Sequence, residues 1–457
     1  MDATTASAQA AEAALGRSTI RKVAFRVMPL VMLLYIFNYM DRTNISYAQL
    51  GMEDDLGITA ATFGAVSSIF FLAYVVFEIP SNMALKKFGA RIWLARIAVS
   101  WGIVTVVLGF VNSVTHLYIV RILLGIAEAG LYPGLLLYLT FWFRQRERGR
   151  AIAAMAMAQP IAMILGSFTG GLILDHIHWL DMSSWRWVFI LQGLPAIILG
   201  VIIFFYLPDT PSKARFLTKA EAAWLEGEIT SEYPDGREEE SVKEQLSAIK
   251  KPKILHLAFA NLFAACGLYG FTFFLPQIIK QMNPEYSATN IGFLGTLPFL
   301  VGAIGMVLIA RFSDRTGERK FHTIAPLLLA ALGLFGTIQS VGTPALAMVF
   351  LSMTAIGVLG YLAPYWAMAS QVLSKKETVV GLAAINTIAA LGGFFGPYVI
   401  GQNASADDVT IGLYFPIGCL ILSGIMLAFV KVPKMVDGAR TGGDRTTADA
   451  DRATNQA

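Results

Sequence analysis

Hydrophobic positions along this chain gather into twelve runs with polar segments between them. The runs cover residues 24–47, 60–84, 91–110, 115–140, 149–174 and 185–207, then 254–280, 288–312, 322–340, 344–371, 377–401 and 409–432. Each is long enough to cross about 30 Å of hydrocarbon at about 1.5 Å of rise per residue. Lipid offers backbone N–H and C=O groups no water, so runs of this kind must be helices that satisfy their own hydrogen bonds. The pattern predicts an all-α integral membrane protein with twelve transmembrane helices, spans 1 to 12, laid out as six, a polar gap, and six more.

The polar segments set organisation and orientation. Five regions are expected: a cytoplasmic N-terminal segment 1–23, a six-helix bundle 24–207, a cytoplasmic central loop 208–253, a second six-helix bundle 254–432 and a disordered cytoplasmic tail 433–457. The central loop is charged, and part of it suits a surface helix. The tail, rich in Thr, Ala and Asp, lacks the apolar content to order itself. Lys and Arg crowd one set of loops: Arg17, Arg21 and Lys22, then Lys86, Lys87 and Arg91, then Arg144, Arg146, Arg148 and Arg150, and in the second half Arg311, Arg315, Arg319, Lys320, Lys375 and Lys376. The opposite loops hold only Arg186 and Lys280 and are otherwise acidic, with Glu53, Asp54, Asp55, Asp175, Asp181, Asp407 and Asp408. Excess basic charge marks the cytoplasmic side. Both termini are therefore expected in the cytoplasm, as an even number of spans requires, in a multi-pass protein of a cell inner (plasma) membrane. The first 20 residues have no apolar signal core, so span 1 is expected to stay as an anchor rather than be cleaved.

Composition sharpens the class. The 457 residues are 56% hydrophobic and only 14% charged, against about 25% charged in a soluble domain. A soluble skin cannot hide that much apolar surface; a lipid-facing skin need not. Forty-one glycines suit close helix packing in lipid. The net charge of +4 is mild, and nothing points to nucleic acid. Cys266 and Cys419 lie in apolar runs and read as packing residues rather than a disulfide or metal framework. The histidines, His116, His176, His178, His256 and His322, fall at or near span ends. With no nucleotide-binding loop, paired metal ligands or nucleophile elbow, neither enzyme activity nor a cofactor is expected.

The halves resemble each other. "ALKKFGARI" after span 2 lines up with "ARFSDRTGERK" after span 8, which puts Gly89 and Gly317 228 residues apart. "QPIAMILGSFTGGLI" in span 5 lines up with "NTIAALGGFFGPYVI" in span 11, with Gln159 and Asn386 227 apart. A near-constant offset over separate spans argues for an internal duplication, the plan on which many transporters are built, with substrate near the midplane between the repeats.

At this point the chain resembles the major facilitator superfamily over all twelve spans. "SDRTGER" looks like that superfamily's basic loop motif, with Asp314 and Gly317 in place, whereas "NMALKKFGAR" has Lys86 where the acid usually sits. Within the superfamily the chain is similar to the anion:cation symporter family, and most to its tartrate, phthalate and hydroxyphenylacetate permease branch. The strings that carry this are "NYMDRTNIS", "FEIPSNMALKKFGAR", "RILLGIAEAGLYPGLLLYLTFWF" and "CGLYGFTFFLPQIIK". The resemblance implies proton-coupled import of an organic carboxylate. It maps proton-carrying acids onto Asp41 and Glu128 and anion-contacting arginines onto Arg42 and Arg121.

The residues themselves support the same chemistry. Charge at membrane depth is expensive and marks function by default, and the ionisable residues well inside the spans are Asp41, Arg42, Arg121 and Glu128. Helix rise places Asp41, Arg42 and Arg121 at one level in the outer third of the bilayer, with Glu128 about 10 Å deeper. Tyr74, Gln159 and Asn386 fall near the midplane by the same reckoning. An arginine stays charged and offers a planar fork to a carboxylate, while a buried carboxyl is pulled towards neutrality by desolvation and away from it by arginine. If substrate and carboxylate compete for one arginine, binding of one depends on protonation of the other. A static Arg121–Asp41 ion pair between spans 1 and 4 is the structural alternative. Glu78 is expected to brace a loop at the end of span 2.

Spans 7 to 12 carry almost no interior charge. Their polar side chains, with Tyr361 and Asn386 foremost, suit the uncharged body of a substrate, though interhelical hydrogen bonding would use the same residues. Tyr365 and Trp366 fit an interfacial aromatic belt. Pro133, Pro160, Pro364 and Pro397 allow bending. The reading is a secondary active transporter, a monomer, that carries a small organic anion with protons. Substrate would meet Arg42, Arg121, Tyr74, Gln159, Tyr361 and Asn386, and protons Asp41 and Glu128. An anion exchanger or a multidrug exporter of the same fold is the alternative. A channel is disfavoured, because channels usually build their filters from symmetric rings.

Overall fold

The computed structural model describes residues 3–232, 250–405 and 408–432. The expected disordered tail 433–457 and the later part of the central loop, 233–249, lie outside these. Among the described residues twelve helices are long and apolar enough to cross a membrane: Gln9–Leu56, Ala60–Phe88, Ala90–Leu108, Val114–Thr140, Gln145–His176, Ser184–Tyr206, Pro252–Met282, Ala288–Thr316, Lys320–Ser340, Pro344–Val372, Val380–Asn403 and Thr410–Ala428. These are the twelve expected spans, and no strand accompanies them among the described residues. We call the side on which span 1 begins and span 12 ends the terminal face, and the other the distal face.

Local chemistry fixes the ends. Thr59, Ser113 and Ser287 each turn a side-chain oxygen onto the first-turn amide three residues on, at 3.2 Å, and so start spans 2, 4 and 8. Spans 2 and 8 stop at the two glycines that the repeat aligns. Gly89 has φ 88° and Gly317 φ 69°, and each donates its N–H to the carbonyl four residues back. Left-handed backbone of this kind suits glycine. The duplication thus ends two helices in the same way. The halves part company at the neighbouring acid: Asp314 pairs with Arg319 at 2.6 Å within its own loop. In the first half, where Lys86 replaces the acid, Asp209 from beyond span 6 accepts the Arg91 N–H at 3.0 Å.

Three spans break three residues before a proline. Span 4 is interrupted at Gly130 (φ 84°) before Pro133, span 5 at Met157 before Pro160, and span 10 at Tyr361 before Pro364. A proline removes one ladder N–H and its ring crowds the preceding turn, so the helix restarts there. Pro397 lies within a helix, Gly392–Asn403, and causes no break.

Packing follows the two-half plan. Spans 3 and 6 pair in the first half; spans 9 and 10 and spans 8 and 10 pair in the second. Across the halves, span 2 packs on span 11 and span 5 on span 8. Span 7 is the innermost, with 83% of its apolar window buried. Large apolar side chains such as Ile198, Phe205, Phe293, Ile304 and Leu332 face outward, the skin that hydrocarbon requires. The distal face is closed by near-contact of backbones: Gly64 of span 2 meets Gly401 of span 11, and Gly171 of span 5 meets Gly292 of span 8. Asp175 adds hydrogen bonds from the Ala288 and Thr289 amides at 3.2 and 2.6 Å, and Gln277 bonds Gln49.

Residues 3–23 are helical and continuous with span 1, in a single helix Ala3–Leu56. Its early turns rest on the surface helix of the central loop, Lys219–Ser231, which is capped by a Thr218–Glu221 box. Lys22 pairs with Glu221 at 2.7 Å, Arg144 with Glu228 at 2.5 Å, and the Arg144 guanidinium lies 4.7 Å from the Trp224 ring.

Candidate functional site

The site is built on one turn of span 1. Asn38 and Arg42 are four residues apart and so share a face; both reach Glu128 on span 4. Asn38 Nδ2 donates to Glu128 Oε2 at 2.7 Å and Arg42 Nε donates to the same oxygen at 3.0 Å. Glu128 is the last residue before the break in span 4 and is wholly buried. Asp41, about 100° further round span 1, accepts from Asn44 Nδ2 at 3.1 Å, and its charge and that of Glu128 bear on each other. Among the described residues the two carboxyls each keep one oxygen without a donor, Asp41 Oδ2 and Glu128 Oε1.

Arg121, two turns before Glu128 on span 4, is the second cation. It is 0% exposed and its charge bears on Asp41 and Glu128, yet Nε, Nη1 and Nη2 have no hydrogen-bond partner among the described residues. Its one close neighbour of note is the Phe70 ring, 5.0 Å away. Arg42 Nη2 is also without a partner. Aromatic faces surround Arg42: Tyr74 at 4.7 Å, Tyr39 at 5.5 Å and Phe70 at 5.6 Å from the guanidinium carbon. Tyr269 of span 7, whose ring lies 4.6 Å from that of Phe71 on span 2, feels the Arg42 charge and carries the site across to the second half.

The structure brings Asp41, Arg42, Arg121, Glu128 and Tyr74 together, but not at the depths the sequence suggested. Arg42 is level with Glu128 rather than 10 Å from it. The reason is that span 1 runs to Leu56, not to 47, so Asp41 and Arg42 sit in mid-helix. The Arg121–Asp41 ion pair considered above is not formed; the pair that forms is Arg42–Glu128. Tyr361 donates to Asn261 Oδ1 at 3.2 Å, entirely within the second half. Gln159 is buried with Nε2 unpartnered, and among the described residues no hydrogen bond joins it to the charged group. Asn386 bonds not to that group but to Glu78, at 3.4 Å, and Thr387 donates to Glu78 at 3.0 Å. Glu78 is therefore no loop brace: it is 3% exposed and spans the boundary between the halves. Tyr365 is no belt residue either, being fully buried with its hydroxyl on the Leu257 carbonyl at 2.8 Å.

Sequence reasoning missed Asn38 and Tyr39, and placed Tyr269, one of the polar side chains of spans 7 to 12, behind Tyr361 and Asn386. Asn38 had a signal, its four-residue spacing to Arg42; Tyr39 had none beyond being aromatic. Among the described residues no cluster of His, Cys, Asp and Glu is placed to hold a metal. His176 and His178 bond backbone carbonyls at 3.1 Å in an exposed segment.

The family model described as Major Facilitator Superfamily matches residues 31–397. The chain belongs to this superfamily. It is a multi-pass membrane transporter and not an enzyme. Among similar proteins, one of Agrobacterium vitis, provisionally named a tartrate transporter, is 40% identical over 92% of this chain and 93% of its own length. The quinolone resistance transporter of Acinetobacter baumannii is 34% identical over 92% of this chain and 96% of its own. The inner membrane transport protein RhmT of Escherichia coli (strain K12) is 32% identical over 90% and 95%. Together with the sequence motifs, these relatives fit a superfamily member of the anion:cation symporter type. Solved structures share the fold: the xylose transporter XylE from E. coli in an inward open conformation superposes with a TM-score of 0.71 at 14% identity, covering 90% of this chain and 97% of that one.

Proposed function

We propose that this transporter imports a small organic carboxylate, tartrate or a related hydroxy or aromatic acid, together with protons, and that its termini face the cytoplasm. Residues 24–207 and 254–432 would rock as two bundles about the site. The observation that carries the reading is Arg121: a buried, permanently charged fork with no hydrogen-bond partner among the described residues, beside a second arginine whose one ion pair among them is with a titratable glutamate. An incoming carboxylate supplies what Arg121 lacks and competes with Glu128 for Arg42. Glu128 yields Arg42 when it takes up a proton, and Asp41, on which the Glu128 charge bears, is the second proton site. Release of substrate on the other side returns Glu128 to Arg42 as the proton leaves. Tyr74, Tyr361, Gln159 and Asn386 are assigned to the uncharged body of the substrate, and the provisional tartrate name of the 40%-identical relatives supports a hydroxy acid.

The quinolone resistance relative and the aromatic wall of Tyr39, Phe70 and Tyr74 favour one second reading, export of a planar aromatic compound. Uptake of labelled tartrate, phthalate, sugar acids and aromatic acids into proteoliposomes separates the two. Symport predicts accumulation of at least one acid when the outside is acidic, abolished by a protonophore. No accumulation of any acid, with proton-driven efflux of a quinolone instead, would overturn it.

A further inference from the structure

The motif "FEIPSN" puts a third carboxylate at membrane depth that the transport cycle above does not use. Glu78 sits one turn beyond Tyr74, whose ring packs on Arg42, and its two oxygens reach out of the first half into the second: Oε1 accepts from Asn386 Nδ2 and Oε2 from Thr387 Oγ1. Among the described residues no Lys or Arg lies within ion-pair distance of it, although every other buried carboxylate near the site has an arginine or carboxyl neighbour. The elements around it offer little charge. Span 1 contributes the field of Arg42. Its own helix contributes Tyr74, on which Glu128 of span 4 also bears. On the terminal half of span 4, Tyr132 stacks on Tyr35 at 5.6 Å and Tyr138 bonds the Pro208 carbonyl at 2.7 Å. On span 3, Arg91 is held by Asp209 and Arg96 lies over Trp93. Span 11 presents Asn386 and Thr387, both neutral donors. A buried carboxylate with no cation in contact is costly to keep ionised through a cycle.

The partners suit both protonation states. Ionised, the carboxylate accepts from a hydroxyl and an amide, and such charge-assisted bonds are roughly twice as strong as neutral ones. Protonated, it becomes a donor, and either the Thr387 hydroxyl or the Asn386 carbonyl oxygen can accept. Both states are satisfied, but the bonds across the boundary are stronger in the first. We propose that Glu78, with Thr387 and Asn386, is a third proton-binding site, one that ties span 2 to span 11 when ionised and slackens that tie when protonated. This rests on the symport reading for its role in transport, but not for its test.

The test uses the full-length protein in lipid nanodiscs, in a background of Asp41→Asn and Glu128→Gln, so that the outcome is independent of the proposed coupling pair. Infrared difference spectra between acid and alkaline pH read protonated carboxyl groups. Glu78→Gln should remove one pH-dependent carboxyl band. Thr387→Val, which keeps the carboxyl but withdraws a donor from its ionised form, should move that band's midpoint to higher pH, and it serves if Glu78→Gln does not fold. Spin labels on the terminal ends of spans 2 and 11 should show a pH-dependent distance that Glu78→Gln fixes at its acid value. An unchanged set of bands in Glu78→Gln, an unmoved midpoint in Thr387→Val, or a distance that still responds to pH without Glu78 would each overturn the proposal.

Discussion

Closure of the distal face depends on two helix crossings without side chains between them, which makes it quantitatively testable. A Cβ added at Gly64 would stand 2.4 Å from the Pro397 carbonyl oxygen and 3.0 Å from Gly401 Cα, where ordinary contact begins at 3.4 Å. The obstruction is backbone, so spans 2 and 11 must part by about 1 Å, and overpacking of this kind costs about 1–3 kcal/mol. That cost falls on the distal-closed form alone. At about 2 kcal/mol the balance between closed and open forms moves roughly thirtyfold towards open. Gly64→Ala should therefore expose the distal contact between Gln49 and Gln277. The assay is the rate at which a Gln277→Cys variant reacts with a membrane-impermeant maleimide added from the distal side; both native cysteines are buried. Labelling should rise by about tenfold or more in Gly64→Ala, and Gly292→Ala, whose Cβ would meet Ser167 O at 2.5 Å, should act alike. Unchanged labelling in both folded variants would refute the idea that backbone proximity sets the equilibrium.

Other outcomes follow from single side chains. Arg121→Met removes a buried guanidinium that has no hydrogen-bond partner among the described residues, so it should leave the unfolding temperature in detergent undiminished while abolishing acid uptake; a lower unfolding temperature would show that Arg121 is structural. Tyr361→Phe leaves the buried Asn261 Oδ1 without its donor and should destabilise the protein by about 1–3 kcal/mol, read by thermal unfolding, with no shift meaning that the bond contributes nothing. The Glu221 carboxyl is held below the usual carboxylate range, chiefly by Lys22 and against some desolvation. A depressed folded-state value stabilises docking of the surface helix above the unfolded pKa, about 4.3, and that stability is lost as pH falls below it. Proteolytic protection of Lys219–Ser231 should hold from pH 7 to 5 and fail under stronger acid, and Lys22→Met should weaken that pH dependence, the Thr218 hydrogen bonds to Glu221 keeping the remainder.

The twelve spans were legible because lipid leaves a backbone no alternative to helix, and a run of apolar residues announces itself whatever its neighbours. Depth was not legible, because polar residues continued the helices past the apolar runs. "YAQLGMEDDL" carries span 1 on to Leu56, and the polar turns before residue 24 find Trp224 and Glu221 to rest on. The same cause misplaced Glu78: span 2 runs to Phe88 rather than 84, which sets the carboxylate about 15 Å inside the helix end. The charged members of the site were visible, since hydropathy makes a buried charge conspicuous. Asn38 was not, because a neutral amide hardly disturbs the pattern. Which residues meet across the halves depends on tertiary packing, and no spacing rule links Glu78 to Thr387.

The central claim is that Glu128 links anion binding to proton movement, and Glu128→Gln tests it most directly. A glutamine keeps the side chain's shape and mimics the protonated state, so substrate should still displace it from Arg42. Counterflow of preloaded labelled substrate and accumulation driven by an inward pH gradient are to be measured in the same proteoliposomes. The account predicts counterflow near the wild-type rate with gradient-driven accumulation lost. Accumulation that survives the substitution would contradict it.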